Sequence, residues 1–176
     1  MANYIENQPV FLGTTDTCSN DVDFIYNQLV DVTDTTQFQL SIAPCISAEN
    51  LIVNPNFETD SDWTTGDNVG IADGQLCFTG ETIAGVSGSY ANSTSVFNDG
   101  KYYQVNITID SIVGEFEVYL ESQLLGTFNS IGTHTFYGMA DFLLSTGYLV
   151  ICPVTDGAIA CISNVTSFEL LTNFIV

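Results

Sequence analysis

The chain has 176 residues, of which 45% are hydrophobic, and its 21 acidic residues against one basic residue give a formal net charge of −20 at pH 7. Binding of nucleic acid or of an anionic membrane surface needs lysine and arginine side chains to pair with phosphate groups. The composition therefore argues against a nucleic-acid partner. Membrane insertion is not expected either, because no run of about 20 apolar residues occurs.

The acidic residues are spread through an apolar-rich chain and form no separate tail, which predicts a folded protein rather than a disordered one. Two interpretations of the acidity stay open, a well-solvated surface or the binding of a cation. Residues 1–13 lack the positive and apolar regions of a secretion signal, so no signal peptide is expected.

The first region of the chain is ambiguous between helix and strand. Val22, Ile25, Tyr26 and Leu29 fall at helical spacing, whereas Val22, Phe24 and Tyr26 alternate as they would in a strand. This segment belongs to a stretch that ends where Pro44 and its polar neighbours interrupt the pattern. We place the domain boundary after residue 48 and treat residues 1–48 as a mostly extended N-terminal arm.

One strand of this arm has a single apolar face. Phe38, Leu40 and Ile42 alternate with polar residues, so their side chains point to one side of the strand and need a cover. The strand either joins the following sandwich or docks onto another chain. The candidate partner-binding residues of the arm are Phe24, Ile25, Tyr26, Leu29, Phe38, Leu40 and Ile42.

The second region, residues 49–176, reads as a series of short strands separated by turn residues, the pattern of an all-β sandwich. Tyr103, Val105 and Ile107 alternate with polar residues, as do Phe116 and Val118, so each strand is expected to have a core face and a solvent face. The predicted strands are residues 51–53, 75–79, 102–110, 115–121, 124–128, 133–137, 148–152 and 159–171.

The cysteines show neither zinc-ligand spacing nor an even number, so they are expected to be reduced. Asp156-Gly157 lies between two apolar runs and predicts a two-residue hairpin turn. That turn would place Cys152 opposite Cys161 as neighbouring free thiols. The five cysteines are Cys18, Cys45, Cys77, Cys152 and Cys161.

From Asn50 onward the chain resembles the jelly-roll carbohydrate-binding modules of the galactose-binding-domain-like type. The opening NLIVNPNFE followed by Trp63 is similar to the opening motif of that family. The resemblance implies a jelly-roll β-sandwich in which the Trp63 ring packs inside the fold. The matching segments are residues 50–58, 73–76, 100–105 and 162–170.

The resemblance also implies a structural calcium ion near the opening motif and the last strand, where carboxylate and carbonyl oxygens converge. Glu58 is then the first candidate ligand. Ser163 stands where the family often has an acidic residue, which removes one expected oxygen ligand.

Sugar binding in such modules depends on exposed aromatic rings that stack on sugar faces, flanked by polar side chains. Alternation would bury some of the rings of this chain, and the sequence does not choose among them. The candidate platforms are Tyr90, Phe97, Tyr102, Tyr119, Tyr137 and Tyr148.

The layout of a short arm followed by such a jelly roll resembles phage head-decoration and fibre proteins. We therefore expect a non-catalytic structural or interaction protein on the outer surface of a virion head or tail. Its arm would contact other virion proteins, it would be oligomeric in the assembly, and a cell-surface glycan is a candidate ligand. The alternative is the glycan-binding module of an adhesin.

A carboxylate-dependent glycosidase is the third hypothesis, with Glu115, Glu117 and Glu121 as candidates by number alone. His134 is the single imidazole and has no nucleophile-elbow sequence near it, so it is expected to be structural. The sequence favours a protein that is not an enzyme.

Overall fold

The computed structural model describes residues 46–47, 49–80, 82–85, 88–95, 97–120, 122–140 and 146–170. The predictions for the arm, including its helix-or-strand ambiguity and its attachment residues, lie outside these ranges. A compact unit begins at Ile46. No helix within the described ranges has the length and apolar character needed to cross a membrane.

Regular structure in the described ranges consists of β-strands and no helix. The strands in chain order are β1 (Trp63–Thr65), β2 (Val69–Ala72), β3 (Gln75–Phe78), β4 (Ala91–Ser93), β5 (Phe97–Asn98), β6 (Tyr102–Val113), β7 (Phe116–Leu120), β8 (Gln123–Phe128), β9 (Gly132–Met139), β10 (Thr146–Gly147), β11 (Leu149–Pro153) and β12 (Ile159–Glu169).

Ten of these strands form two five-stranded antiparallel sheets. The first sheet has the order β1-β4-β11-β7-β8, the second has the order β2-β3-β12-β6-β9, and β5 pairs with β10. Val105 and Ile107 of the second sheet are fully buried, as are Phe116 and Val118 of the first, because alternation directs one side of each strand to the shared core. The predicted all-β jelly-roll sandwich is confirmed.

The long alternating segments were predicted well, as was the short strand β3, but other short segments were not. Residues 51–53, predicted as a strand, are irregular, although the Leu51 N–H donates to the Ser167 carbonyl at 2.8 Å. Contact with the last strand begins before residue 49, because Ile46 bridges Leu170 and the Ser47 N–H donates to the Glu169 carbonyl at 2.7 Å. Strands β1, β2 and β4 have only three or four residues, too few for a readable alternation.

The predicted pairing of Cys152 with Cys161 is wrong. Cys152 lies in β11 of the first sheet, opposite Glu117, whereas Cys161 lies in β12 of the second sheet, opposite Cys77. Cys77 and Cys161 form a disulfide with their Cα atoms 4.2 Å apart, so the expectation that these two cysteines are reduced is also wrong.

The reason is the connection between β11 and β12, which passes from one sheet to the other. Asp156 and Gly157 do form a turn, with Gly157 at a φ of +78°. The turn is part of a wider corner that another loop holds in place. Asp156 Oδ1 accepts from the Ala84 N–H at 2.8 Å, and the Gly157 N–H donates to the Thr82 carbonyl at 2.8 Å. A two-residue hairpin would have kept both strands in one sheet.

Trp63 and His134 have the structural roles that were expected of them. Trp63 is buried, its ring centroid lies 5.3 Å from that of Phe57, and its Nε1–H donates to the Asn54 carbonyl at 3.3 Å. The His134 ring packs 5.8 Å from Phe128, and its Nε2 is hydrogen-bonded to the Ser130 carbonyl at 2.8 Å.

Candidate functional site

The six aromatic residues proposed as sugar platforms lie in three different places in the sandwich. Phe97 is fully buried in the core, so it cannot serve as a sugar platform. Tyr102 and Tyr137 are exposed on the outer side of the second sheet. The remaining candidates belong to the outer side of the first sheet, and they are Tyr90, Tyr119 and Tyr148.

The outer side of the first sheet follows from the strand register. Leu149 of β11 points into the core, so its neighbours Tyr148 and Val150 point outward. Val150 lies opposite Tyr119 on one side and opposite Asn92 on the other, which places these three side chains in one row across the sheet. We call this surface the tyrosine face, and it consists of Tyr90, Asn92, Glu117, Tyr119, Tyr148, Val150 and Cys152.

Tyr90 is positioned by a glycine at the end of β1. The Gly66 N–H donates to the Tyr90 carbonyl at 2.8 Å. A Cβ atom at position 66 would lie 2.7 Å from the Gly88 carbonyl oxygen and 2.8 Å from Tyr90 Cδ1, closer than such atoms approach in folded proteins. Gly66 therefore allows the Tyr90 ring to lie against the strand end.

Tyr119 is fixed by its neighbour on the same side of β7. Its hydroxyl donates to Glu117 Oε2 at 2.7 Å. This hydrogen bond, together with partial burial, raises the pKa of Tyr119 to about 12. The phenol therefore stays protonated at neutral pH, and its proton is held by Glu117. This hydrogen bond fixes the orientation of the Tyr119 ring, and the phenol oxygen can still accept a hydrogen bond from a ligand.

Beneath these polar groups the tyrosine face has a buried floor. Val150 and Cys152 are 4% and 0% exposed, although they point away from the core cluster and do not belong to it. Burial, and secondarily the nearby Glu117 carboxylate, raises the pKa of the Cys152 thiol to about 12. The thiol is therefore neutral at physiological pH and acts as an apolar group, not as a nucleophile.

Asn92 carries the feature of this face that most directly indicates a ligand. Its side-chain oxygen Oδ1 is buried and has no hydrogen-bond partner among the described residues. Leaving a buried amide oxygen unpaired costs about 1–3 kcal/mol, so a donor that came within hydrogen-bond distance after the groups covering the oxygen had moved aside would be bound favourably. Sequence reasoning missed Asn92 because β4 has only three residues.

The predicted calcium ligand Glu58 lies elsewhere, in the opening segment. It is exposed, and its N–H donates to Asn54 Oδ1 at 2.9 Å. Where this segment meets the last strand, Asn164 Nδ2 donates to Asn56 Oδ1 at 2.6 Å. Within the described ranges no three His, Cys, Asp or Glu side chains group as metal ligands. Calcium at Glu58 stays a prediction, which melting curves with calcium and with a chelator would test.

Comparison with known proteins gives a likeness of fold only. No protein-family model and no curated protein matches the chain. A mutant of a carbohydrate binding module of family 29 is 12% identical with a TM-score of 0.46, covering 70% of this chain and 92% of that chain. BiXyn10A CBM1 in its apo form is 13% identical with a TM-score of 0.48, covering 65% and 94%.

A CBM4 structure is similarly distant, with 14% identity and a TM-score of 0.46 over 69% of this chain and 95% of that chain. The solved structures named here are carbohydrate-binding modules, the kind of protein that the sequence resembles.

Proposed function

We propose that the domain is a glycan-binding module whose ligand lies on the tyrosine face. The observation that carries this proposal is the position of the buried, unpaired Asn92 oxygen in the same row as Tyr119, on a face that also holds Tyr90 and Tyr148. A sugar offers apolar C–H faces that stack on aromatic rings and hydroxyl groups that donate to amide oxygens. Both kinds of group are present on this one surface.

The charge of the protein restricts the glycan to neutral sugars. The chain has no arginine, and its single lysine, Lys101, is paired with Glu169 at 3.0 Å. Glu117 adds a carboxylate to the tyrosine face itself. A sulfated or carboxylated glycan would find no cation there and would be repelled by the net charge of −20.

The proposal is one of binding without catalysis. Glycoside hydrolysis needs two carboxyl groups that flank the scissile bond. Glu115 directly precedes strand β7, which carries Glu117, and Glu117 is engaged by the Tyr119 hydroxyl. The two carboxylates come from one short segment and not from opposite sides of a cleft. The third glycosidase candidate, Glu121, lies outside the described residues.

The test is affinity electrophoresis in gels that contain neutral polysaccharides: glucomannan, galactomannan, xylan and mixed-linkage β-glucan. Retardation of the wild-type chain is expected in at least one gel, with a loss of about 2- to 13-fold in affinity for Tyr119→Ala and for Tyr90→Ala. Ile131→Ala is the control, because Ile131 is exposed in the connection between β8 and β9. Equal retardation of the wild type, both tyrosine variants and the control would contradict the proposal.

We further propose that residues 1–48 attach this module to a phage particle and that it is displayed there with other copies. Support comes from the sequence alone, from the predicted one-sided apolar strand with Phe38, Leu40 and Ile42 and from the layout of a predicted arm followed by a jelly roll. Mass spectrometry of a purified particle, with cross-linking to identify neighbours, tests this role. Absence of the chain from the particle would contradict it.

A further inference from the structure

The outer side of the second sheet carries a network of uncharged side chains that no part of the proposed function uses. Asn106 Oδ1 accepts from Gln104 Nε2 at 3.1 Å and from Thr135 Oγ1 at 2.9 Å, and Asn106 Nδ2 donates to Thr166 Oγ1 at 3.2 Å. We call this surface the amide face, and its members are Gln104, Asn106, Thr108, Thr133, Thr135, Thr166, Tyr102 and Tyr137.

The network extends across neighbouring strands and holds its members in fixed positions. Thr108 and Thr133 share a hydrogen bond of 3.0 Å between β6 and β9. Amide nitrogens have two protons each, so Gln104 and Asn106 each keep one after the bonds within the network. The face therefore offers oriented donors at no further cost in side-chain ordering.

Two exposed rings lie at one end of this network. Tyr137 is opposite Gln104, and Tyr102 is opposite Met139, in the pairing of β6 with β9. The two tyrosines are 52% and 47% exposed. They are diagonal neighbours, at a separation of about 7–8 Å between positions, which both rings can bridge. Together they form an aromatic stripe beside the amides.

The charged residues on and beside the amide face determine which ligands it can accept. The network and the aromatic stripe contain no charged residue, although the chain has 21 acidic residues. Asp110, in the last part of β6, has its two oxygens occupied by Gln75 and Ser163, at 2.6 and 2.9 Å. At the other end Lys101, next to Tyr102, is neutralised by Glu169.

Each charged partner is thereby disfavoured. A second copy of the chain, a nucleic acid or an anionic membrane would be repelled by the net charge of −20. A basic protein would bind where carboxylates are free, and the Asp110 carboxylate beside this face already accepts two hydrogen bonds. A neutral ligand rich in hydroxyl groups fits both the rings and the free amide protons.

We infer that the amide face is a second surface for neutral glycans, independent of the tyrosine face. The two faces are the outer sides of two sheets that pack against each other, so they point in opposite directions. One molecule can then hold two glycan chains at once and link them.

The experiment compares Tyr119→Ala, Tyr137→Ala and the double variant with the control Ile131→Ala in the same polysaccharide gels. Each single variant is expected to weaken its own face by about 2- to 13-fold and to keep the binding of the other face, whereas the double variant, weakened on both faces, should be retarded less than either single variant. Melting curves confirm folding, and Tyr102→Ala replaces Tyr137→Ala if that variant is unfolded. Tyr137→Phe, which keeps the ring, should bind nearly as the wild type does.

The outcomes distinguish the two surfaces. If Tyr119→Ala reduces binding and Tyr137→Ala changes nothing, the second surface is overturned and the proposed function stands. If Tyr137→Ala reduces binding and Tyr119→Ala changes nothing, the tyrosine face is overturned and the amide face stands. If the wild type is retarded in none of the gels, both proposals are wrong.

Discussion

The Tyr119 hydroxyl donates to Glu117 Oε2 across 2.7 Å on one side of a single strand. This bond protects the phenol proton, raising the pKa of Tyr119 from 10.0 to about 12. The protonated Tyr119 phenol contributes to the free energy of unfolding. This contribution is complete below the pKa of tyrosine in the unfolded chain, about 10, and is lost as the pH rises from about 10 to about 12.

The prediction is that Tyr119→Phe has a smaller decrease in unfolding free energy over this alkaline window than the wild type. Urea unfolding at several pH values between about 9 and 12 measures the two slopes. Ile131→Ala, which leaves the hydrogen bond between Tyr119 and Glu117 intact, is the control and should keep the wild-type slope. Equal slopes for wild type and Tyr119→Phe would show that the bond does not persist in solution.

Asn92→Leu should separate stability from binding. Because Asn92 Oδ1 is buried and unpaired in the described structure, its replacement by an apolar side chain of similar size removes a cost of about 1–3 kcal/mol. We expect the free energy of unfolding to stay constant or rise while retardation by neutral polysaccharide falls.

The matched control is Asn106→Leu, whose amide makes three hydrogen bonds on the other sheet and should destabilise the fold. Denaturant unfolding and affinity electrophoresis measure both effects. A strong loss of stability in Asn92→Leu would mean that the Asn92 oxygen has a partner in solution.

Gly66→Ala should displace the Tyr90 ring. The added Cβ would meet the Gly88 carbonyl and the ring itself, so we expect a loss of about 1–3 kcal/mol in unfolding free energy and weaker glycan binding. Gly70→Ala is the control, since a Cβ there meets nothing within 4 Å. Similar melting temperatures for the two variants would contradict this account of Gly66.

The Cys77–Cys161 disulfide should stabilise the domain, because it links residues 84 positions apart in the chain. Replacing both cysteines with serine is expected to cost about 2–4 kcal/mol. Reductant should lower the melting temperature of the wild type and leave that of the double variant unchanged. Peptide mapping without reduction should recover the two cysteines in one linked peptide pair, and their recovery as separate alkylated peptides would refute the link.

Deletion of residues 1–45 should leave a folded module that no longer joins a particle. The cut precedes Ile46 and Ser47 because both contact the last strand. Removal of residues 1–48 takes these contacts away as well and should lower the melting temperature relative to the shorter deletion. Incorporation of either truncated chain at the wild-type level would contradict the attachment role.

Long strands with clear alternation were predictable because local sequence is enough to define them. The alternation of Tyr103, Val105 and Ile107 with polar residues predicts both the strand β6 and which of its sides is buried. The disulfide was not predictable in this way, because β3 and β12 are brought together only by the complete sandwich. The site was partly predictable: Tyr119 was a named candidate, but its grouping with Asn92 depends on the order of strands in the first sheet.

The position of the last strand has a mechanical consequence. A pull on the N-terminal side of the module would reach β12 through the Ser47 hydrogen bond to Glu169 and the Ile46 bridge to Leu170. These two contacts are far weaker than the pairing of β12 with β6, so they would break first, and the chain would then peel away from residue 48 toward Cys77. At Cys77 the covalent bond to Cys161 would stop the extension and pass the load to β12.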